Sequence, residues 1–443
     1  MDFKIFKLHK KTNDMRYKLP DKKMFIENRK NLVKLMEPGS AAFINANDLM
    51  PTCTDGTMKF RQNSDLFYLT GVDQEETVLL LYPDCPDPLL REVLLLTETN
   101  DTIMTWHGKK LSLEEATELS GIKNVLWLSE FERVYRFTMC NAKSIYLNSN
   151  NYARADVVVE SRDARFTKRC QSEFPLQTYK NIAPFMEYLR TVKSKYEIGL
   201  MQKAIDITEA GFRRALQFVK PGVMEYEVEA EFVHEFTRRG AAWADFLPII
   251  ASGDGTCVLH YIKNDEVCKD GDLLLLDLGA SYAYYNADMT RTIPVNGKFS
   301  KRQRDVYNAV HRVMKKHIPE MKAGRTIQEL QQFCCENIQK ELVDLKLLTM
   351  NDIKNQNPAM PAFKKYFMHN ISHHLGIDVH DVGDLYRKLE PGMVLSCEPG
   401  IYIREESLGI RLENDVMVTE NGGKDLMKNI PIDADEIEEL MNK

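Results

Sequence analysis

Several features that define common protein classes are missing from this chain of 443 residues. No apolar run approaches the roughly 18–20 residues that a membrane-spanning helix requires. The opening stretch, MDFKIFKLHKKTND, lacks the apolar core of a secretory signal. No block of Lys and Arg is present, and 59 basic against 65 acidic side chains leave a net charge of −6. Because phosphate neutralisation needs clustered cations, we expect a soluble, cytoplasmic protein without membrane or nucleic-acid partners.

Nine cysteines are present, but no two of them have C-x-x-C spacing. A thiolate cage for zinc or a redox dithiol is therefore disfavoured. An odd number of cysteines in a long chain does not indicate a disulfide framework, and we expect buried or half-buried thiols in a reducing compartment. The first part of the chain also lacks a Gly-rich phosphate loop after a strand, so a nucleotide-binding role has little support.

The hydrophobic pattern divides the chain near residue 180. Before this point, β-rich runs such as AAFINA and TVLLLYP alternate with helical patterns such as LSLEEATEL, in which Ser112 and Glu115 have capping-box spacing. Strands interleaved with helices predict an α/β domain with a mainly parallel or mixed sheet. The polar segment 151–180 is interpreted as a linker. After it, long helices precede extended runs, which predicts an α+β domain with an antiparallel sheet.

Two apolar runs of the second part end in an acidic residue between glycines. In GDLLLLDLG and PGMVLSCEPG, one glycine lies six residues before the acid and another lies two residues after it; the acids are Asp277 and Glu398. A second acid follows each run, Asp288 and Glu413, at a separation that suits a β-hairpin. Two related half-domains would thus bring four carboxylates to one seam. A buried carboxylate is costly unless it is paired or bound to metal, so each acid needs a partner.

For any one of these acids, a solvated strand end or a salt bridge with Arg291 or Arg411 remains an alternative. Four of the ten histidines lie within twelve residues between the acidic segments: His369, His373, His374 and His380. Imidazole and carboxylates without thiolate are typical of Mn²⁺, Co²⁺ or Fe²⁺ sites. Bridging carboxylates favour two ions roughly 3.5–4 Å apart. A satisfied core or surface position remains the alternative for any single histidine.

An ordered set of segments resembles the proline-specific metallopeptidases of the pita-bread fold, which include aminopeptidase P, prolidase and methionine aminopeptidase. The segments are HYIKND, LLLLDLGASYAYYNADMTRTIPVNGKF, MHNISHHLGIDVHDVG, LSCEPGIYI and GIRLENDVMVT. Upstream, NRKNLVKLMEPGSAA and FRQNSDLFYLTGV resemble the N-terminal domain of bacterial aminopeptidase P. The resemblance implies an aminopeptidase P-type α/β domain over 1–180. It implies an α+β pita-bread domain with a curved antiparallel sheet and a pseudo-twofold repeat over 181–443.

The resemblance also implies roles for individual residues. Five of them match the ligands of a dinuclear metal centre, expected to hold two Mn²⁺ per subunit with Co²⁺ or Zn²⁺ as alternatives: Asp277, Asp288, His373, Glu398 and Glu413. Asp288 and Glu413 would bridge the ions, and Glu398 would also shuttle a proton.

Three histidines, His260, His369 and His380, match residues around the scissile carbonyl and the proline pocket. Arg411, two residues before Glu413, would orient that carboxylate or bind substrate. His374 has no role in the pattern. Asn370 stands where the family usually has glycine, and because asparagine tolerates positive φ we expect a tolerated backbone change. The polar extension of roughly twenty residues at the N-terminus is expected to be peripheral.

The implied activity is that of an Xaa-Pro aminopeptidase, which releases the first residue from peptides with proline in second position. Glu398 would protonate the leaving prolyl nitrogen, while His369 or His380 stabilises the oxyanion. A prolidase restricted to dipeptides, a metal-free creatinase-like relative and a non-catalytic binding module are the alternatives. Methionine aminopeptidase is disfavoured because it lacks the large N-terminal domain. Trp106 resembles a tryptophan that reaches a neighbouring subunit's active site, so a homodimer or homotetramer is expected; a partly buried surface aromatic is the alternative.

Overall fold

The computed structural model describes residues 16–18, 20–149 and 158–443. The N-terminal extension expected to be peripheral lies almost entirely outside the described residues, as does the start of the predicted linker. The chain forms two compact units, one of Pro20–Tyr196 and one that contains Glu197–Lys443. The assignment of functional domains to 1–180 and 181–443 stays a prediction.

The first unit contains a single mixed sheet with helices around it, within the described ranges. Its strands are β1 (Ser40–Asn45), β2 (Val78–Leu81), β3 (Glu92–Leu96), β4 (Asn124–Trp127), β5 (Ser144–Leu147) and β6 (Tyr179–Asn181). Its helices are α1 (Lys22–Leu35), α2 (Ser64–Thr70), α3 (Asp101–His107), α4 (Leu113–Ser120), α5 (Phe131–Asn141), α6 (Arg162–Glu173) and α7 (Ala183–Thr191). The strand order is β4-β3-β2-β1-β5-β6. β2 is antiparallel to its neighbours and the other pairs are parallel, which confirms the predicted α/β domain.

Helix α6 shows where the sequence pattern was misleading. It lies inside the segment interpreted as a linker, and that interpretation was wrong for this part. Half of the residues of this helix are charged, but the Phe166 ring packs 5.5 Å from the Phe43 ring of β1, and Cys170 is fully buried. One aromatic side chain and one thiol are too few to give the helix an apolar stripe that can be recognised in the sequence. The capping box of α4, formed by Ser112 and Glu115, is confirmed.

The second unit is built from long helices and short antiparallel strands. Its helices are α8 (Lys195–Phe218), α9 (Glu225–Arg238), α10 (Lys301–His317), α11 (Ile327–Asp344), α12 (Met350–Lys354) and α13 (Ala434–Met441). Its strands are β7 (Ala242–Trp243), β8 (Ile249–Ser252), β9 (Leu273–Leu278), β10 (Ala280–Tyr282), β11 (Tyr285–Asn286), β12 (Met289–Pro294), β13 (Val394–Cys397), β14 (Gly400–Ile403), β15 (Leu408–Arg411), β16 (Asn414–Val418) and β17 (Gly423–Asp425). All of its strand pairs are antiparallel, as predicted.

Two hairpin-like pairs bring the four acidic positions to one seam. β9 pairs with β12, which places Asp277 opposite Thr290. β13 pairs with β16 at the positions beside Glu398 and Glu413, and the shorter β14–β15 hairpin lies between them in sequence. The two pairs meet where the Glu413 backbone N–H donates to the Thr290 carbonyl over 3.0 Å. The acids are therefore close in space although more than a hundred residues separate the two halves in sequence.

Gly279, one of the glycines that flank the acidic runs, is required by this close approach. A Cβ atom at this position would lie 1.7 Å from the carbonyl oxygen of Ala287. That distance is far shorter than van der Waals contact. Only glycine therefore lets the segment that carries Asp277 approach the segment that carries Asp288 this closely.

All nine cysteines are free thiols. Seven are buried or half-buried as expected, but Cys53 and Cys140 are exposed, which corrects the expectation for these two. None of the helices in the described ranges combines the length and the hydrophobicity that crossing a bilayer needs.

Candidate active site

A cavity of about 360 Å³ opens at the seam of the second unit. The residues singled out in the sequence as metal, catalytic or substrate-binding groups all line it: His260, Asp277, Asp288, His369, His373, His380, Glu398, Arg411 and Glu413. His374 is outside this lining; it is buried, and its backbone pairs with Leu395 of β13. The structure therefore brings the candidate residues together, while their individual roles stay predictions.

His373 stands at the centre of the acidic group. Its Nε2 atom lies 3.4 Å from Asp288 Oδ2, 3.8 Å from Glu398 Oε1 and 4.0 Å from Glu413 Oε1. One ligand atom from each of Asp288, His373 and Glu413 lies within 4.8 Å of the others. Such a spacing allows one cation to contact all three side chains.

The acidic group carries more negative charge than its protein partners neutralise. Burial, followed by repulsion from Asp288 and Glu398, raises the pKa of Glu413 well above its ordinary value. Burial also raises the pKa of Asp277, although Arg411 opposes the shift, and raises the pKa of Glu398 to about 7 against the opposing charge of His373. A buried cluster with this charge is unfavourable unless a cation accompanies it.

The donor set fits divalent cations. Asp288 is 4% exposed, and its Oδ1 atom has no hydrogen-bond partner among the described residues. An unpaired buried carboxylate oxygen is rare in proteins and is typical of a position that binds an ion. Carboxylate oxygens with one imidazole and no thiolate match the ligands of Mn²⁺ and related ions.

Arg411 is tied to Asp277 rather than directly to Glu413. Its Nη2 donates to Asp277 Oδ2, and its Nε donates to Thr290 Oγ1 over 3.1 Å. The Thr290 hydroxyl in turn donates to Glu413 Oε2 over 2.7 Å. Arg411 thus reaches Glu413 by hydrogen bonds through Thr290, and its positive charge also opposes the rise in the pKa of Glu413. The salt-bridge alternative applies to Asp277, although it leaves the other three acids unexplained.

Arg291 does not form the salt bridge considered from the sequence. This fully buried guanidinium donates to the backbone carbonyls of Thr290, Glu413 and Pro431 and to Asn414 Oδ1. Burial lowers the pKa of Arg291 to about 10. Because it joins β12 to the residues at the start of β16, Arg291 holds the two halves of the seam together.

Tyr402 belongs to the LSCEPGIYI motif, and in the structure it links His369 to Arg411. Its hydroxyl accepts from Arg411 Nη1 at 2.9 Å and lies 2.8 Å from His369 Nε2. On the other side of the ring, His369 Nδ1 lies 2.8 Å from the Asn370 carbonyl oxygen. A carbonyl only accepts, so Nδ1 carries the proton and Nε2 accepts from Tyr402. Both ring nitrogens of His369 are therefore engaged.

Burial, with Arg411 adding to it, lowers the pKa of His369 to about 3, so this imidazole is neutral. Asn370 does not adopt a positive φ, and its departure from the usual glycine needs no left-handed backbone, contrary to the reason given from the sequence. His260 and His380 are more exposed, and the His380 ring packs edge-on against His373 with centroids 4.3 Å apart.

Several residues that line the cavity were not predicted from the sequence to belong to the site. Among them are Asp245, Phe246, Asp378 and Val379. Asp378 and Val379 stand inside the quoted motif MHNISHHLGIDVHDVG, between assigned histidines, whereas Asp245 and Phe246 precede β8 outside all of the quoted motifs. Only their position in the folded chain relates them to the site.

Two parts of the chain are similar to known protein families. Residues 199–420 match metallopeptidase family M24, and residues 25–146 match the aminopeptidase P N-terminal domain. Xaa-Pro aminopeptidase of Escherichia coli (strain K12) is 36% identical over 94% of this chain and 97% of its own length. The enzyme of the same name from Haemophilus influenzae is 34% identical over 96% of this chain and 98% of its own length.

Solved structures of aminopeptidase P are also similar. A variant of the Escherichia coli protein in complex with substrate superposes with a TM-score of 0.85 and 34% identity, covering 96% of this chain and 99% of the other. A zinc-substituted form in complex with product gives the same TM-score, identity and coverage. The similarity therefore extends over both units of the chain.

Proposed function

Because the chain belongs to metallopeptidase family M24, we infer that it is a metallo-aminopeptidase that releases the N-terminal residue from peptides with proline in second position. Its fold is the aminopeptidase P-type α/β domain followed by the pita-bread domain. The observation that carries the function is the convergence of four carboxylates and His373 in one cavity. The dipeptide-restricted alternative is not favoured, because the similar proteins of nearly equal length are Xaa-Pro aminopeptidases.

We propose that two divalent ions, Mn²⁺ in the cell, are held by the five matched ligands: Asp277, Asp288, His373, Glu398 and Glu413. The unpartnered Asp288 Oδ1 and the donor chemistry of the group support this assignment. When bound, such ions supply a nucleophile from water at neutral pH and polarise the scissile carbonyl. The zinc-substituted Escherichia coli structure indicates that Zn²⁺ is accepted by a related site.

Side chains around this site are assigned the proton transfer, the stabilisation of the oxyanion and the positioning of neighbouring groups. A prolyl nitrogen carries no hydrogen in the peptide, so the leaving group needs a proton when the bond breaks. Glu398 lines the cavity with its side chain 18% exposed, and we assign it the transfer of that proton. His380 and His260 are exposed residues that line the cavity, and we assign them donation to the oxyanion and the substrate backbone. His369, whose nitrogens are both engaged, positions Tyr402 and Arg411.

The test combines elemental analysis of the purified protein with an assay on Leu-Pro-Pro and Leu-Pro. We expect about two divalent ions per chain, hydrolysis of the tripeptide, loss of activity with a chelator and recovery with Mn²⁺. Cleavage of the dipeptide alone would identify a prolidase. A protein without bound metal that cleaves neither peptide would refute the proposed function.

We further propose a homodimer or homotetramer in the cytoplasm. Trp106 of α3 is 79% exposed, so the alternative of a partly buried aromatic is wrong, and α3 has no buried residue. A large exposed indole is a common interface anchor. Sedimentation at micromolar concentration should give two or four chains per particle, and a monomer would contradict the proposal.

The nine free thiols support the proposed location in a reducing compartment.

A further inference from the structure

Two carboxylates line the cavity without belonging to the proposed metal-ligand set, Asp245 and Asp378. Asp245 is exposed and Asp378 is half-buried, so both are accessible from the cavity. They come from different loops, one before β8 and one inside the histidine-bearing segment, between His374 and His380.

Asn286, which is fully buried, joins these two loops. Its Nδ2 donates to Asp245 Oδ2 over 3.1 Å and to the Ile377 carbonyl oxygen over 2.6 Å, beside Asp378. Its backbone N–H donates to the Gly376 carbonyl oxygen over 3.0 Å. The two carboxylates are thus held on one wall of the cavity. Asn286 stands two residues before Asp288, so this wall adjoins the proposed metal site.

The charge balance of the cavity favours a cationic substrate. Six carboxylates line it, and Arg411 is the only Lys or Arg among the described lining residues. Among the described lining residues, carboxylates therefore outnumber the cationic Lys and Arg side chains six to one. Charged groups at the wall of a cleft raise the local concentration of ligands of opposite sign.

The same wall also offers apolar surface. Phe246 follows Asp245, Val379 follows Asp378, and both side chains line the cavity. Long basic side chains place their methylene stems on apolar surface while the charged head reaches a polar group. The carboxylate pair matches the charged head of an arginine or lysine, and the neighbouring aromatic and aliphatic side chains match its methylene stem.

We propose that Asp245 and Asp378 form a subsite for the side chain of the first substrate residue and select peptides that begin with Arg or Lys. The inference rests on the proposed function, because hydrolysis before proline places the carbonyl of the first residue at the metal site. The proposal places the side chain of that residue next to the wall held by Asn286.

Arg-Pro-Pro and citrulline-Pro-Pro test the charge alone, because citrulline has nearly the shape of arginine without its charge. With Mn²⁺-loaded full-length protein, we expect kcat/KM to be about fivefold higher for the arginine peptide, the order of an exposed ion pair. Asp245→Asn and Asp378→Asn should each lower this ratio, and the double variant should bring it close to one. The ratio should also fall as salt is added.

Asp305→Asn is the matched control, since Asp305 is an exposed aspartate of α10 outside the cavity lining. It should retain the wild-type ratio. The ratio is measured within one preparation, so partial unfolding of a variant cancels.

A wild-type ratio near one, or a ratio unchanged in both variants, would overturn the proposal. An equal loss on both peptides would also overturn it, because it would assign the carboxylates to the α-ammonium group. Failure of the loaded protein to cleave either peptide would overturn the proposed function as well, whereas equal cleavage of both defeats only this inference.

Discussion

Replacing Asp288 by alanine is expected to abolish peptide hydrolysis and metal uptake together. Asp288 is buried, lies 3.4 Å from His373 and has a carboxylate oxygen without a hydrogen-bond partner in the part of the chain that the structure describes, as expected of a cation ligand. A bound cation contributes several kcal/mol of transition-state stabilisation, and kcat should therefore fall by at least about a thousandfold. Elemental analysis should show less than the two ions per chain expected for the wild type.

The unfolding temperature of the metal-free protein shows whether the variant has lost only its metal site or its fold as well. Asp288 raises the pKa of neighbouring carboxyl groups, so its removal relieves repulsion inside the buried cluster and offsets the loss of its contact with His373. With a chelator present, Asp288→Ala should unfold at a temperature no lower than that of the wild type. Asp305→Ala is the surface control and should keep both metal and activity. An Asp288→Ala protein that retained both would refute the assignment.

Glu398→Gln is expected to lower kcat by about 10²–10⁴-fold, the usual contribution of a general acid–base group. The amide has the size of the carboxylate and keeps an oxygen, but it cannot carry a proton from water to the prolyl nitrogen. KM for an Xaa-Pro tripeptide should change much less than kcat, because the side chain acts during the reaction rather than in ground-state binding.

Steady-state kinetics with parallel elemental analysis check this result. Glu390→Gln is a matched control, since Glu390 is exposed and does not line the cavity. It should behave as the wild type. If Glu398→Gln kept its metal and lost less than about tenfold in kcat, another group would have to transfer the proton.

The four acids of the site were recognisable in the sequence because each ends or follows an apolar run, whereas the resemblance to the proline-specific metallopeptidases implied the roles of the histidines. Asp277 and Glu398 end apolar runs between glycines, and the hydrophobic period predicted that these runs are strands. The α/β and α+β classes followed from the order of such runs, and the structure confirms both. The pattern failed at α6, where the fold buries little of a charged helix.

The sequence by itself thus determined most of the elements and the four acids that meet at the seam, because local periodicity and spacing encode burial. Only the tertiary structure decided the partner of each polar group. Arg411 bonds Asp277 and Arg291 bonds carbonyl oxygens, while Asn286 brings the loops of Asp245 and Asp378 together. These contacts join residues that are far apart in sequence, and their geometry depends on how the strands and loops pack rather than on any local period.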